Sequence, residues 1–265
     1  MNRPVYIVGA GPGDPDLITV KGRDLLTQAD VVVYANSLIP ETMLQFCRDD
    51  AEIIPTASKT LEQILEILID RVRSQKSVVR LHDGDPSIYG AIHEQIVGLA
   101  TADIPVEIIP GVSAFQVAAA QLQVELTIPE LVQTIILTRA SGRTQVPESE
   151  DLARLAAHQA SLCLYLSAGH VAKAQAQLML HYPADTPVAI CFHLGWQDQK
   201  ILTVPLKEMA AVTESENLIR TTLYLISPAL RTAIKNSLKN KSSLNSQRSQ
   251  LYKSSHSHIF RPRSD

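Results

Sequence analysis

The residues best suited to chemistry stand at the start of the chain, in Val5-Tyr-Ile-Val-Gly-Ala-Gly-Pro-Gly-Asp-Pro-Asp-Leu-Ile-Thr19. An apolar run of strand type meets three alternate glycines, with Pro12 between the second and third and Asp14 just beyond. A related turn, Gly84-Asp-Pro-Ser-Ile-Tyr-Gly90, follows another short strand over Ser77–Leu81. A strand that ends in a glycine-rich turn and continues as a helix presents backbone N–H groups to a ligand at the carboxyl edge of an α/β sheet. Two such turns imply a nucleotide-like cofactor.

The first turn does not fit a dinucleotide. That fingerprint places its third glycine where this chain has Asp14, and it needs an acid at the end of the second strand to hold a ribose hydroxyl. Here the second strand, Val31-Val-Val-Tyr-Ala, ends at Asn36. Pro12 also removes a backbone donor that a pyrophosphate cradle would use. No Gly-x4-Gly-Lys-Ser/Thr occurs, which argues against a Walker-type nucleotidase.

The elements that position these turns follow from hydrophobic periodicity. Up to about residue 110 strands and helices alternate: strands at Val5–Val8, Val31–Tyr34, Ile53–Ile54, Val78–Leu81 and Val106–Ile109, helices at Leu17–Gln28, Glu41–Phe46, Leu61–Arg73 and Ile88–Leu99. Helix Leu61–Arg73 carries Leu61, Ile64, Leu65, Leu68 and Val72 on one stripe. This is the pattern of a parallel α/β domain, expected over 1–111 and ending at Pro110-Gly-Val-Ser-Ala. Residues 112–230 form a second α/β domain with a mixed sheet. Its strands are expected at Gln133–Leu137, Ser161–Leu166, Pro187–Phe192, Ile201–Val204 and Thr221–Ile226. Helices are expected at Ala114–Gln121, Glu148–His158, Val171–His181 and Leu206–Val212. The fold class is therefore two α/β domains with a cofactor cleft between them, the default place for a ligand.

The 265 residues carry a net charge of −3, but unevenly. From Arg231 onward there are eight Lys or Arg and one Asp, so the tail carries +7 and the body −10. The tail (231–265) is rich in Ser, Asn and Lys without period and is expected to be disordered. It reads as a solvated extension rather than a nucleic-acid arm, and its His256 and His258 are too isolated to hold a metal. The cysteines, Cys47, Cys163 and Cys191, lie far apart and read as buried thiols. No apolar run reaches the ~20 residues of a membrane span, and no signal-type segment leads the chain, which reads as cytoplasmic.

Together the first glycine turn, Gly84–Gly90 and Pro110-Gly-Val-Ser-Ala114 resemble the tetrapyrrole (corrin/porphyrin) methylases, in order and spacing, over residues 5–230. The stretch Leu126–Pro147, with Tyr34-Ala-Asn-Ser-Leu-Ile39 and Trp196-x-Asp-x-Lys200, is similar to the branch acting on precorrin-4, or its cobalt form, at C11. The resemblance implies S-adenosylmethionine (SAM) as cofactor, released as S-adenosylhomocysteine and bound folded in the cleft. The implied contacts are Pro12, Asp83, Gly84, Asp85, Ile88, Ser113, Ala114, Leu166, Leu194 and Ser227. It also implies a homodimer, with helices such as Leu61–Arg73 available for the interface. The sequence departs from the branch at His193-Leu-Gly195, where a basic, a small and a Thr/Ser residue are usual, and at Gln199, where a glutamate is.

Transfer of a sulfonium methyl to carbon needs alignment above all, and a base to take a pyrrole N–H proton assists it. Asp14 is either that base or a helix cap, and Asp85 either orders its turn or meets the SAM amino group. The substrate is a polycarboxylate, so a body of −10 needs a local basic trough. Lys21, Lys59, Arg80, His82, Arg139, Arg143 and Arg220 are the residues expected to line it or else to be surface charges. Arg139 and Arg143 flank Ser141-Gly142, where a guanidinium fork suits a propionate. Tyr89 either stacks on the macrocycle or covers the core, and Trp196 reads as packing. Another precorrin or uroporphyrinogen-III methylase, and a non-catalytic SAM or tetrapyrrole sensor, are the competing functions.

Overall fold

The computed structural model describes residues 3–142, 144–218 and 220–232. The chain forms two compact units. The first takes the residues up to Val117 together with His193–Lys200, and the second takes Ala118–Phe192 and the residues from Ile201 onward. The division thus falls a few residues beyond 111, and a segment distant in sequence joins the first unit. Most of the tail expected over 231–265 lies outside the described residues; Arg231 and Thr232 end a 3₁₀ turn over Pro228–Thr232.

The first unit contains β1 (Val5–Gly9), α1 (Val20–Gln28), β2 (Val31–Tyr34), β3 (Glu52–Pro55), α2 (Leu61–Arg73), β4 (Val78–His82), α3 (Ile92–Thr101) and β5 (Val106–Ile109), and α4 (Ala114–Leu122) begins in it. The strands pair in parallel in the order β3-β2-β4-β1-β5. Alternate residues enter two separate cores. Val8, Val32, Val79 and Leu81 pack with Leu26 of α1, whereas Val5, Ile7, Val33 and Val78 pack with Leu68 of α2 and Leu99 of α3. The helix after β1 and the helix after β4 therefore cover opposite faces, although β1 and β4 are neighbours. That is the condition for a crevice at the carboxyl ends of these two strands.

Helix starts follow local chemistry. Asp14 accepts from Asp16 N–H and caps a 3₁₀ turn over Pro15–Leu17, while Thr19 accepts from Gly22 N–H and caps α1. The single helix expected over Leu17–Gln28 is thus split in two. Thr60 and Gln63 form a reciprocal capping box at the start of α2, a device worth about 0.5–2 kcal/mol. The α2 stripe is engaged within its own unit: Ile64, Leu68 and Val72 are buried, and Leu65 lies against Gly98 of α3. Arg71 of α2 grips Glu52 of edge strand β3 through two bonds of 2.7 Å. Helix α3 starts at Ile92 rather than Ile88, because Tyr89 and Ala91 are left-handed (φ 56° and 48°) and prolong the turn.

The second unit holds β6 (Ile135–Arg139), α5 (Leu152–Ala156), β7 (Ser161–Tyr165), α6 (Val171–Leu178), β8 (Pro187–Phe192), β9 (Lys200–Pro205), α7 (Met209–Ser215) and β10 (Thr222–Ile226). Its sheet runs β6-β7-β10-β8-β9, with β6 and β7 parallel and β10 antiparallel to both β7 and β8, so it is mixed as expected. Leu162, Leu164, Val188, Ile190, Tyr224 and Ile226 form its core with α5, α6 and α7. Cys163 and Cys191 are buried, and burial pushes both thiols up to about 12, so neither is reactive. Cys47 is only half-buried.

Candidate functional site

Glycines from all three motifs meet at the carboxyl ends of β1, β4 and β5. Gly11 N–H donates to Gly84 O (3.2 Å) and Gly84 N–H to Gly11 O (2.8 Å), which ties the first two turns together by their backbones. A Cβ on Gly9 would stand 2.7 Å from both Gly84 O and Gly111 Cα, and one on Gly111 would stand 2.1 Å from Gly84 O. Only hydrogen fits at either position, because no side-chain carbon approaches another heavy atom so closely. Gly84 is different: its φ is +57°, and a Cβ there would find its nearest neighbour, Ser113 Cα, 4.0 Å away. The turn thus shows bare backbone to open space, the form a close-fitting ligand needs. Ser113 is buried with its N–H bonded to Gln116 (2.8 Å), and Ala114 opens α4. Pro12 and Ile88 are half-buried nearby in sequence to these glycines.

The two aspartates of the second turn do different work. Asp85 accepts from Gly111 N–H through Oδ2 (2.9 Å), and from Ser87 N–H (2.9 Å) and the Ser87 hydroxyl through Oδ1. Burial opposes its charge, but these hydrogen bonds outweigh it and hold the carboxyl below its usual range. Asp85 thus clips the second motif to the third. Among the described residues no side chain is bonded to the Asp83 carboxylate, and burial raises its pKa while its own N–H and Arg80 oppose the rise.

Arg80 and His82 are not on the surface. Each is only 4% exposed, on the α3 side of β4, which corrects the expectation that they line a basic substrate trough. Arg80 donates to Val33 O (3.2 Å), Leu81 O (3.4 Å) and Gln95 Oε1 (3.2 Å). Burial lowers its pKa to about 10, so it stays charged at neutral pH. Burial and the Arg80 charge lower His82 to about 3, so it is neutral, and its Nε2 has no partner among the described residues.

The segment 193–200 packs on the first turn. A Cβ on Gly13 would stand 2.4 Å from Trp196 Cδ1, and one on Gly195 would stand 2.5 Å from Asp14 N. Trp196 is thus a packing residue, with its Nε1 buried and unpartnered among the described residues. Its ring lies 4.9 Å from that of left-handed His193 (φ 46°), which pairs with Asp198. Gln199 accepts from Gly195 N–H (2.7 Å), and Leu194 is buried. The residues that depart from the branch pattern therefore build a self-consistent loop. Asp14 already accepts one backbone N–H through Oδ1 (3.0 Å), so it is at least a cap.

In the second unit, Leu166 follows β7 in a left-handed conformation (φ 51°) and is 68% exposed, an arrangement that costs an ordinary folded position about 1–2 kcal/mol. Ser227 is fully buried with its hydroxyl against Ser161 Oγ (2.7 Å), so its side chain is not available to a cofactor. Arg139 donates to Thr144 O and Gln145 O (3.0 Å each), so its fork is closed on its own loop. Arg143 lies outside the described residues. Lys21 pairs with Glu107, Lys59 is half-buried, and Arg220 is exposed. Tyr89 is 43% exposed. No group of three or more His, Cys, Asp or Glu is placed to hold a metal among the described residues.

Glycine turns clipped together at the switch point of a parallel sheet define an α/β protein built to bind a small cofactor. Residues 4–210 match the family model of the Tetrapyrrole (Corrin/Porphyrin) Methylases, and the chain belongs to that family. It is 46% identical over 230 residues to the cobalt-precorrin-4 C(11)-methyltransferase of Methanocaldococcus jannaschii, covering 86% of this chain and 89% of that protein. It is 43% identical over 258 residues to the precorrin-4 C(11)-methyltransferase of Pseudomonas aeruginosa, covering 97% and 98%. Among solved structures, that of a cobalamin biosynthetic enzyme, cobalt precorrin-4 methyltransferase, is similar with a TM-score of 0.83 at 44% identity, over 86% of this chain and 95% of that one. Uroporphyrin-III C-methyl transferase from Thermus thermophilus complexed with S-adenyl homocysteine gives 0.71 at 26%, over 87% and 94%.

Proposed function

We propose that this chain transfers the methyl group of SAM to C11 of precorrin-4 or its cobalt complex, in the building of cobalamin. The observation that carries the reading is the open backbone at Gly84, held by Asp85 and Gly111, in a chain 43–46% identical to methyltransferases of that name. The complex of a family member with S-adenyl homocysteine supports the choice of cofactor. The uroporphyrin-III enzymes are more distant, at 24–27% identity, which favours precorrin-4 over that alternative. Relatives are named both with and without cobalt, so both substrates belong in the assay.

When bound, SAM supplies an already activated sulfonium methyl. The residues proposed to hold it are Pro12, Asp83, Gly84, Ile88, Ser113, Ala114, Leu166 and Leu194. Asp85 acts through the turn, and Ser227 enters through its backbone alone. Their task is orientation, which supplies on the order of 7–11 kcal/mol when reacting atoms are held in line. Asp14 remains the carboxylate proposed to accept a pyrrole N–H proton. The substrate carboxylates are proposed to meet Lys21, Lys59, Arg139, Arg143 and Arg220, with Tyr89 against the macrocycle. A homodimer and a cytoplasmic location belong to the same reading. Ile135 and Leu137, each 36% exposed on outermost strand β6, are apolar surface open to a second copy. No helix among the described residues is long and apolar enough to cross a membrane.

The test is incubation with labelled SAM and either precorrin-4 or cobalt-precorrin-4. The expected product carries one new methyl by mass, assigned to C11 by NMR. A methyl at another carbon overturns the branch. Binding of SAM without turnover on any tetrapyrrole would leave a sensor.

A further inference from the structure

The turn that follows β4 ends in an unfavourable corner. Tyr89 and Ala91 are both left-handed (φ 56° and 48°), and between them a Cβ on Gly90 would stand 2.3 Å from Pro86 O. Residues with side chains keep such torsions only where their surroundings impose them. Asp85 secures the front of the turn through Ser87 and Gly111. Ala91, at the back, is the N-cap of α3 and makes no side-chain cap bond of its own.

The hold on that end comes from one helical turn further on. Gln95 of α3 is 5% exposed; its Nε2 donates to Ala91 O (3.3 Å), and its Oε1 accepts from Arg80 Nε (3.2 Å). A guanidinium only donates, so Arg80 fixes which end of the amide faces it and leaves the NH2 end for the Ala91 carbonyl. Arg80 is itself anchored within the sheet, on Val33 O (3.2 Å) and Leu81 O (3.4 Å). A buried cation held by neutral acceptors is expensive, and an apolar residue of similar volume is often as stable or more so. Core stability therefore does not account for the pair, whereas a fixed direction for the Gln95 amide does. We propose that Gln95 is a positioning residue: oriented by Arg80, it pins the Ala91 end of the second glycine turn and so sets the stance of exposed Tyr89 toward the tetrapyrrole. The part concerning the tetrapyrrole rests on the function proposed above; the hold on Ala91 does not.

The experiment uses the full chain. In ligand-free protein the Cα and Cβ carbon shifts of Ala91, which report a left-handed torsion, are compared by NMR in wild type, Gln95→Glu and Gln95→Met. Gln95→Glu guards against misfolding, because its carboxylate still accepts from Arg80 while offering Ala91 O no donor. Both variants should move the Ala91 shifts away from left-handed values. Both should raise the KM for precorrin-4 or cobalt-precorrin-4 by about tenfold, the scale of one buried hydrogen bond, with the Kd for SAM within about twofold of wild type. Ala91→Gly takes positive φ without strain, so adding it to Gln95→Glu should restore most of the lost KM. In a Tyr89→Ala background Gln95→Glu should add nothing further. Ala91 shifts that stay at their wild-type values in both variants overturn the hold on the turn. A KM and a Kd for SAM that worsen in step, without rescue by Ala91→Gly, overturn positioning and leave Gln95 a core residue. Moved Ala91 shifts with an unchanged KM overturn the link through Tyr89 to the tetrapyrrole. A wild type that methylates no tetrapyrrole overturns the proposed function, while the Ala91 shifts still decide the hold.

Discussion

Replacing His82 by Gln should change how the stability of the protein depends on pH, not merely its value. His82 is buried beside Arg80, and its pKa falls from 6.5 to about 3 on folding. The folded state therefore favours the neutral ring. Its contribution is complete above the unfolded pKa near 6.5, and it is lost as pH falls from there toward the folded value. Each pH unit below 6.5 removes ~1.4 kcal/mol, so wild type should lose about 2 kcal/mol from this group alone near pH 5. The limiting loss near pH 3 is on the order of 5 kcal/mol, half of what holds many domains folded. Gln does not titrate, so His82→Gln should show a shallower decline on that side. Urea unfolding of both proteins at closely spaced pH values measures the difference directly. Depressed carboxylates such as Asp85, Glu52 and Asp30 also weaken the fold as pH falls through their titration, but equally in both proteins. Parallel curves between pH 7 and pH 4 would refute the reasoning, because they would mean that His82 gains its proton in the folded state as readily as in water.

Gly84→Val and Gly111→Ala should separate binding from packing. The first places a branched Cβ in open space at φ +57°, so it should cost about 1–2 kcal/mol of stability but weaken SAM by at least tenfold, about 1.4 kcal/mol. The second drives a Cβ to 2.1 Å from Gly84 O, so stability and SAM affinity should fall together; unchanged affinity in Gly84→Val makes that turn purely structural. Arg139→Ala should raise the KM for precorrin-4 by loosening the loop whose carbonyls it holds, with the Kd for SAM unchanged and proteolysis at Gly142–Gln145 faster. An increase in KM that is largest at low salt and fades at high salt, without faster cleavage, would assign the loss to direct contact of Arg139 with substrate carboxylates.

Several features followed from sequence alone because their causes are short in range. The run Val5–Val8 has no residue that resists a strand, and Leu61–Arg73 repeats its apolar residues at helical spacing behind a Thr-x-x-Gln box. The failure of the first turn as a dinucleotide site needs only Pro12, Asp14 and Asn36. The three motifs, read together, indicated the family. The start of α3 was misread because Ile88 and Ile92 share a helical stripe, whereas Tyr89 and Ala91 are driven left-handed by a turn in which a Cβ on Gly90 would strike Pro86 O at 2.3 Å.

What tertiary structure alone decided concerns residues far apart in the chain. Arg80 and His82 alternate with Val79 and Leu81, and in a half-exposed strand that pattern puts charge in water. Here β4 lies inside the sheet with helices on both faces, so the polar face is buried under Gln95 of α3, and no local signal reports that. The clip from Asp85 to Gly111 and the packing of Trp196 on Gly13 likewise depend on strand order and loop placement. Local sequence sets torsions and periodicity, but burial and charge partners are set by which distant segments the sheet brings side by side. For this protein that step turns two residues of an apparent basic trough, Arg80 and His82, into buried side chains, with Arg80 bonded to Gln95 of α3.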